Sequence, residues 1–383
     1  MKQVDVAIIG AGILGLAHAY LAASAGQSVA VFDRSPQARG ASVRNFGMIW
    51  PIGQPPGPLF ELALESRAHW MQILHAAKLP YRETGSFHLA YADDEAAVTQ
   101  EFAAMAPGLG YTTCQWLDAP TVLAKSEAVV PENLRGGLWS GTEATVDPRQ
   151  ILATLPTYLA EQHAVQFHWA RPVRAITSTP SGSLQIETAT GTLEAGAAIV
   201  CSGEDFETLY PDHFATSGLT RCKLQMMRTA PQPAAWQLGP SLAAGLTLRF
   251  YKTFALCPSL PALAARIAQQ TPEFDRWLIH ALVSQTVDGA ITLGDSHEYN
   301  LAVDIFNKQE IDDLILTYTK TFLRLPTYQI AERWYGVYAK HLDKTYVVMH
   351  PQERVRIVGS PGGSGMTLSF GVAAESIREM GLA

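Results

Sequence analysis

The sequence predicts an α/β fold, α+β in its two-domain arrangement: a Rossmann-like βαβ unit with the glycine spacing of a dinucleotide site, and a second part whose strands do not continue that alternation. Three observations carry this. The apolar run "VDVAIIG" ends in "GAGILG" and leads into an apolar segment at helical spacing. Strict strand–helix alternation then stops after Asp33, where a longer parallel-sheet protein would continue. Strand-like stretches such as "DGAITLGDSHEY" return in the middle segment, roughly Arg221 to Ile330.

At 383 residues, the chain is long enough for two packed domains. Its 48% hydrophobic and 16% charged residues suit a globular enzyme with a large core. A formal charge of −7 without any block of five like charges gives no footprint for nucleic acid. Cys114, Cys201, Cys222 and Cys257 form no CxxC and no His-paired spacing, so buried thiols, a cytoplasmic location and no metal are expected. The nearly uncharged stretch from Val4 to Phe32 carries closely spaced glycines with Ser, Gln and His. It therefore reads as strand, turn, helix and strand rather than as an integral membrane segment.

"VDVAIIG" has the continuous apolar character of a strand buried on both faces. Gly10, Gly12 and Gly15 stand in GxGxxG spacing. Gly10 permits the tight turn, Gly12 lets the backbone approach a pyrophosphate, and Gly15 lets helix and strand pack closely. The helix opening at Ile13 and Leu14 offers free N–H groups to phosphates. "SVAVFD" is the second strand, and Asp33 lies 18 residues after Gly15, in range of the ribose hydroxyls, with Arg34 beside it. An acid at that position disfavours a 2′-phosphate.

Further along, "PLFELALESRAHWMQILHAA" reads as a helix and "GSFHLAYA" as a strand. In "VDPRQILATLPTYLAEQ", Asp147 is a good N-cap and Pro148 a good first helical residue. The stretch from Val165 to Gly203 reads as strands with turns at "PSGS" and "ATGT". "AAGLTLRFYKTFALCPSL" reads as a strand and "QEIDDLILTYTKTFLRL" as a helix. "VRIVGSPGGSGMTLSFGVAAESIREM" gives a strand, a glycine-rich turn and a closing helix.

These motifs together resemble the superfamily of FAD-dependent D-amino-acid oxidases, glycine oxidases and sarcosine oxidases, which share a glutathione-reductase-type flavoprotein fold. The resemblance implies a discontinuous Rossmann-like FAD-binding domain (1–80, 145–220 and 335–383) and a discontinuous substrate domain built on an antiparallel sheet (81–144 and 221–334). It implies FAD contacts from "GASVRNFG", namely Ser42, Arg44, Asn45, Phe46 and Gly47. It also implies contacts near Val173, Ser202 and Gly203, and from Gly359, Gly362, Gly363, Ser364, Gly365, Met366 and Thr367. Met48 and Trp50 are expected to flank the ring or the substrate.

The same resemblance implies oxidation of a C–N bond, with hydride passing to flavin N5 and the imine then hydrolysed, so no side chain is required as catalyst. Amino-acid oxidases of this superfamily clamp a carboxylate with an Arg soon after a "W-G" element. The corresponding stretch here is "RWYGVYAKHLDK", where Val337 and Tyr338 follow Gly336. Lys does not reproduce the planar fork of Arg. Tyr338, Lys340, His341, Arg333 and His297 are therefore the substrate-binding candidates, with Arg249, Tyr251 and Lys252 as possible wall residues. No Cys occupies the stretch where sarcosine oxidases link their flavin, so non-covalent FAD is expected. Thr292 stands where those enzymes carry a Lys near the flavin, which leaves oxygen or another electron acceptor open.

"SVRNFGMIWPIGQPPGP", "RWYGVYAKH" and "GSPGGSGMTLSFG" are similar to a bacterial subgroup associated with aminoalkylphosphonate catabolism. That similarity implies a small anionic amine, an aminoalkylphosphonate, as substrate. Glycine, sarcosine or a D-amino acid is the alternative, as is a flavoprotein without catalysis. A nicotinamide dehydrogenase would share only the first βαβ unit.

Overall fold

The computed structural model describes residues 3–359 and 361–383. Its first sheet grows from the apolar N-terminal run. Strand β1 (Gln3–Ile9) leads through the glycine turn into helix α1 (Ile13–Ser24), and β2 (Val29–Phe32) returns parallel to β1. Strand β3 (Gly191–Val200) lies parallel on the other side of β1, pairing Val6 with Ala197 and Ile9 with Val200. Gln166–His168 extends the sheet beyond β2, and Val355–Gly359 extends it beyond β3, both in parallel. Residues on both faces of β1 and β2 are buried, as the continuous apolar run requires. Gly26, with φ of +87°, ends α1.

A second, nine-stranded sheet is mostly antiparallel. Its longest pairing joins β4 (Leu219–Thr229) to β5 (Ile330–His341). Strand β5 lies in this sheet along its whole length, across the expected boundary at 335. Ser86–Ala90 and Ile291–Gly294 belong to the same sheet. A small sheet of three strands (Met48–Ile49, Tyr81–Arg82 and Ala144–Val146) links the two halves.

Helix α2 (Gly365–Glu379) closes the chain against α1 and the helix Pro58–Ala76. A Cβ on Gly371 would lie 2.5 Å from the Leu62 carbonyl oxygen, so the two helices meet at backbone distance. The Trp70 indole N–H donates to the Met366 carbonyl at 2.6 Å and fixes the first turn of α2. Asp147 caps the helix Pro148–His163, accepting from the Arg149 N–H at 2.9 Å.

One element departs from its sequence pattern. Of "AAGLTLRFYKTFALCPSL" only the first residue is in a strand, Ser241–Ala243; Gly245–Leu248 and Lys252–Leu256 are short helices. The alternation in "LTLRFY" imitates a strand. The turn at Gly245–Leu248 is held instead by Arg249, which donates to the Leu246 carbonyl at 2.6 Å and pairs with Asp275 at 2.5 Å.

Candidate active site

Two cavities open between the sheets and share Ile13, Ala41, Ser42, Arg44, Tyr338, Pro361, Gly362 and Gly365 in their walls. The larger, about 500 Å³, follows the C-terminal ends of β1 and β2. It is lined by Gly10, Gly12, Ile13, Leu14, Asp33, Arg34, Val173, Ser202, Gly203 and Gly359. Gly10 has φ of +108°, and a Cβ there would lie 2.3 Å from the Cys201 carbonyl oxygen. Gly15 packs beneath the cavity rather than lining it, since its Cβ would strike the Gly10 carbonyl at 1.9 Å. The N-cap of α1, Gly12, has no side chain with which to cap the helix, and among the described residues no acid lies in its first turn. That end of the helix is therefore suited to an anion. The Asp33 carboxylate accepts from the Ala11 N–H and the Ser35 N–H, both at 2.8 Å, and so is held at the cavity edge.

The stretch after β2 folds back over α1. Ser42 Oγ accepts from the Ile13 N–H at 2.9 Å. Asn45 spends its amide inside the loop: its Nδ2 donates to the Ala41 and Ser42 carbonyls at 3.0 and 2.9 Å, and its Oδ1 accepts from Gly47 N–H at 2.7 Å. Asn45 shapes the wall more than it offers donors. Gly47 lies outside both linings, where its φ of +70° and close approach to the Val146 carbonyl exclude any side chain.

The smaller cavity, about 240 Å³, lies beyond Phe46 and is walled by Gly363, Ser364 and Met366. Strand β5 divides it from the larger one. Gly336, Tyr338 and Lys340 alternate along β5 and line the smaller cavity, whereas Val337 and Ala339 line the larger. Burial drives the Tyr338 phenol well above its ordinary range, so it stays protonated and able to donate. Burial lowers Lys340, helped by nearby Lys252. Among the described residues, no acid lies within ion-pair distance of Lys252, Lys340 or Lys344, all of which line this cavity.

His297 and Tyr251 also line the smaller cavity, together with residues the sequence reading missed: His280, Asp295, Phe250 and Tyr299. The single carboxylate among the described lining residues is Asp295. Burial raises Asp295 well above a carboxylate's usual range, lowers His280 well below the usual imidazole range, and lowers His297 to about 4.

Several expected substrate residues lie elsewhere. Met48 and Trp50 are buried in the hydrophobic core and line neither cavity; the Trp50 ring turns toward His88, with centroids 5.6 Å apart. Arg333 pairs with Asp312 at 3.1 Å, because alternation along β5 puts it on the opposite face from Gly336 and Tyr338. His341 lies outside both linings, its Nδ1 accepting from the N–H groups of Asp343 and Lys344 at 3.1 and 3.0 Å. Thr367 is buried under the site, where its hydroxyl accepts from the Trp50 N–H. Arg249 serves the helical turn already described.

A glycine turn at a helix N-terminus, an acid at the next strand end and a second cavity against an antiparallel sheet define a dinucleotide-dependent oxidoreductase of the two-domain flavoprotein type. A family described as "FAD dependent oxidoreductase" matches residues 5–378, and the chain belongs to that family, with FAD as its cofactor. Among curated proteins, it is 28% identical over 207 residues to a glycine oxidase of Geobacillus kaustophilus, covering 52% of this chain and 54% of that one. It is 25% identical over 210 residues to a glycine oxidase of Bacillus licheniformis, covering 53% and 54%. The chain thus matches about half the length of these curated relatives. The crystal structure of the Geobacillus kaustophilus glycine oxidase superposes with a TM-score of 0.77 at 19% identity, over 99% of this chain and 95% of that one. An L-alpha-glycerophosphate oxidase of Mycoplasma pneumoniae with FAD bound gives 0.74 at 18% identity, over 100% and 95%. Among the described residues, no helix is long and apolar enough to cross a membrane.

Proposed function

We propose that the chain oxidises the C–N bond of a small anionic amine, and that the amine is an aminoalkylphosphonate. The observation that carries the anion is the set Lys252, Lys340 and Lys344, which lines one cavity without an acid partner. A phosphonate is tetrahedral and up to dianionic, so separate ammonium and hydroxyl donors suit it better than a single planar fork. Lys340 and Tyr338 are the inner donors.

The residues present fit FAD. The glycine cradle would be filled by a Cβ at Gly10, and the N-terminus of α1, with no acid in its first turn, faces the larger cavity. Asp33 would hold the ribose, the first turn of α1 with Ser42 and Arg44 the pyrophosphate, and Val173, Ser202 and Gly203 the adenine side. Gly362 to Met366 and Phe46 would border the ring. When bound, FAD supplies a two-electron acceptor for a C–H next to nitrogen. The chain's own part is to bind the amine, aim that C–H and keep water out.

The names of the curated relatives favour a second reading, an amino acid with a carboxylate. Binding of amine-free anions to the flavin-loaded protein separates the two. Ethylphosphonate perturbing the flavin spectrum at lower concentration than propionate supports the phosphonate, and the reverse order supports the amino acid.

A further inference from the structure

We propose that Asp295, set between His280 and His297, is the counter-ion for the substrate's ammonium nitrogen and the acceptor of its proton. This rests on the amine-oxidation reading above and assigns one end of the same cavity.

The residues converge through sheet pairing. Leu282 lies opposite Gly294 in an antiparallel ladder, and the Asp295 N–H donates to the His280 carbonyl at 3.0 Å just beyond it. Asp295 is 5% exposed, and its Oδ1 has no hydrogen-bond partner among the described residues. His280 Nε2 stands 3.4 Å from Oδ1, and His297 Nε2 stands 3.8 Å from Oδ2. Both separations are longer than an ordinary hydrogen bond.

The tautomer of His297 follows from its other nitrogen. Nδ1 lies 3.2 Å from the Leu278 carbonyl, which can only accept, so the proton sits on Nδ1. In the neutral ring that burial favours, Nε2 turns a lone pair toward a carboxylate. With the carboxyl ionised, the form a bound ammonium favours, two acceptors face one another in a buried wall and are satisfied together by a donor-rich cation. A primary or secondary ammonium carries enough N–H groups for a carboxylate oxygen and an imidazole nitrogen together.

The surroundings favour a cation at this one place. Phe250 packs at a tilt against His280 and His297, with centroids 3.9 and 4.6 Å away, and an aromatic ring in the cavity wall beside them suits a cation. The other charged groups lining the cavity are Arg44, Lys252, Lys340 and Lys344, all positive. An amine with an anionic tail is thereby oriented, nitrogen toward Asp295 and anion toward the lysines. In the proton step, one N–H bond of the ammonium breaks, its electron pair stays on nitrogen as a lone pair, and the proton bonds to an Asp295 carboxylate oxygen. The neutral amine so formed is the state from which an adjacent C–H can leave with its electrons. Burial raises the proton affinity of Asp295, which favours this transfer.

The test compares wild-type and Asp295→Asn protein, both flavin-loaded, for anaerobic bleaching by N-methyl-2-aminoethylphosphonate and for binding of ethylphosphonate, which lacks the amine. The expected result is bleaching at least ~100-fold slower in the variant, with ethylphosphonate affinity unchanged. Asp295→Glu, which keeps the acid, should recover part of the rate and covers the case in which the amide variant fails to fold. Equal bleaching by wild type and Asp295→Asn would overturn the assignment. So would one equivalent of bound divalent metal in the wild type that Asp295→Asn loses, because the cluster would then be a metal site. If no amine bleaches the wild type, the amine-oxidation reading fails by itself. The subsite then stands or falls on whether the wild type prefers 2-aminoethylphosphonate to ethylphosphonate and Asp295→Asn does not.

Discussion

The Trp50 N–H donates to the Thr367 hydroxyl across 2.9 Å, although 317 residues separate the two. The bond ties the loop beyond the first βαβ unit to the first turn of α2, and both groups are buried. Alongside it, Gln54 Nε2 donates to Ser364 Oγ at 3.0 Å. Gln54 and Ser364, far apart in sequence, thus share one wall of the smaller cavity. Thr367→Val keeps the side-chain shape but leaves the Trp50 N–H without an acceptor, at a cost of about 1–3 kcal/mol. Chemical denaturation should show that loss, and Thr367→Ser should largely avoid it.

Gly10 and Gly26 separate two meanings of a glycine. A Cβ at Gly10 meets the Cys201 carbonyl at 2.3 Å, whereas nothing lies within 4 Å of one at Gly26, where only the positive φ resists it. Gly10→Ala should give protein without bound flavin. Gly26→Ala should cost about 1 kcal/mol and stay yellow. The flavin-to-protein absorbance ratio after purification distinguishes them.

Lys340 should govern anion affinity. Lys340→Ala is expected to weaken ethylphosphonate binding by roughly tenfold or more, the scale of a lost charge-assisted hydrogen bond, with flavin retained. Burial lowers its proton affinity, so its positive charge fades at a pH below that of a free lysine. Wild-type affinity should therefore fall as pH rises toward 10, and Lys340→Ala should lack that limb. A titration of the flavin spectrum at several pH values reads both.

His88 should make the fold acid-labile. It is fully buried between the rings of Trp50 and Phe254, neither nitrogen has a partner among the described residues, and burial lowers its pKa to about 3. The unfolded chain takes up this proton near pH 6.5, so it binds more protons than the folded chain below that value. The contribution of neutral His88 is complete above about pH 6.5 and is lost progressively as pH falls toward 3. His88→Leu should flatten the decline of the thermal midpoint across that window.

The parts of the site built by neighbours in sequence were legible in the sequence. Gly10, Gly12, Gly15 and Asp33 could be read because one turn and one strand end bring them together. Asp147 and Pro148 announced their helix in the same way. Asp295 and His280 could not, since they meet through the register of an antiparallel hairpin, and only His297 in "GDSHEY" stands out in the sequence. Trp50 and Arg333 were assigned to the substrate because they flank site residues in sequence. Their side chains turn away, one into the core and one to the opposite face of β5. The segment after Ala243 alternated like a strand, yet Arg249 and Asp275 hold it as a helical turn.

The central claim, oxidation of a phosphonate-bearing amine, is tested most directly by anaerobic flavin absorbance. N-methyl-2-aminoethylphosphonate is compared with sarcosine, glycine and D-alanine at equal concentration. Rapid bleaching by the phosphonate, with little from the amino acids, is the expected result. Bleaching by the amino acids and not by the phosphonate would contradict the account and make the lysine-lined cavity a carboxylate site.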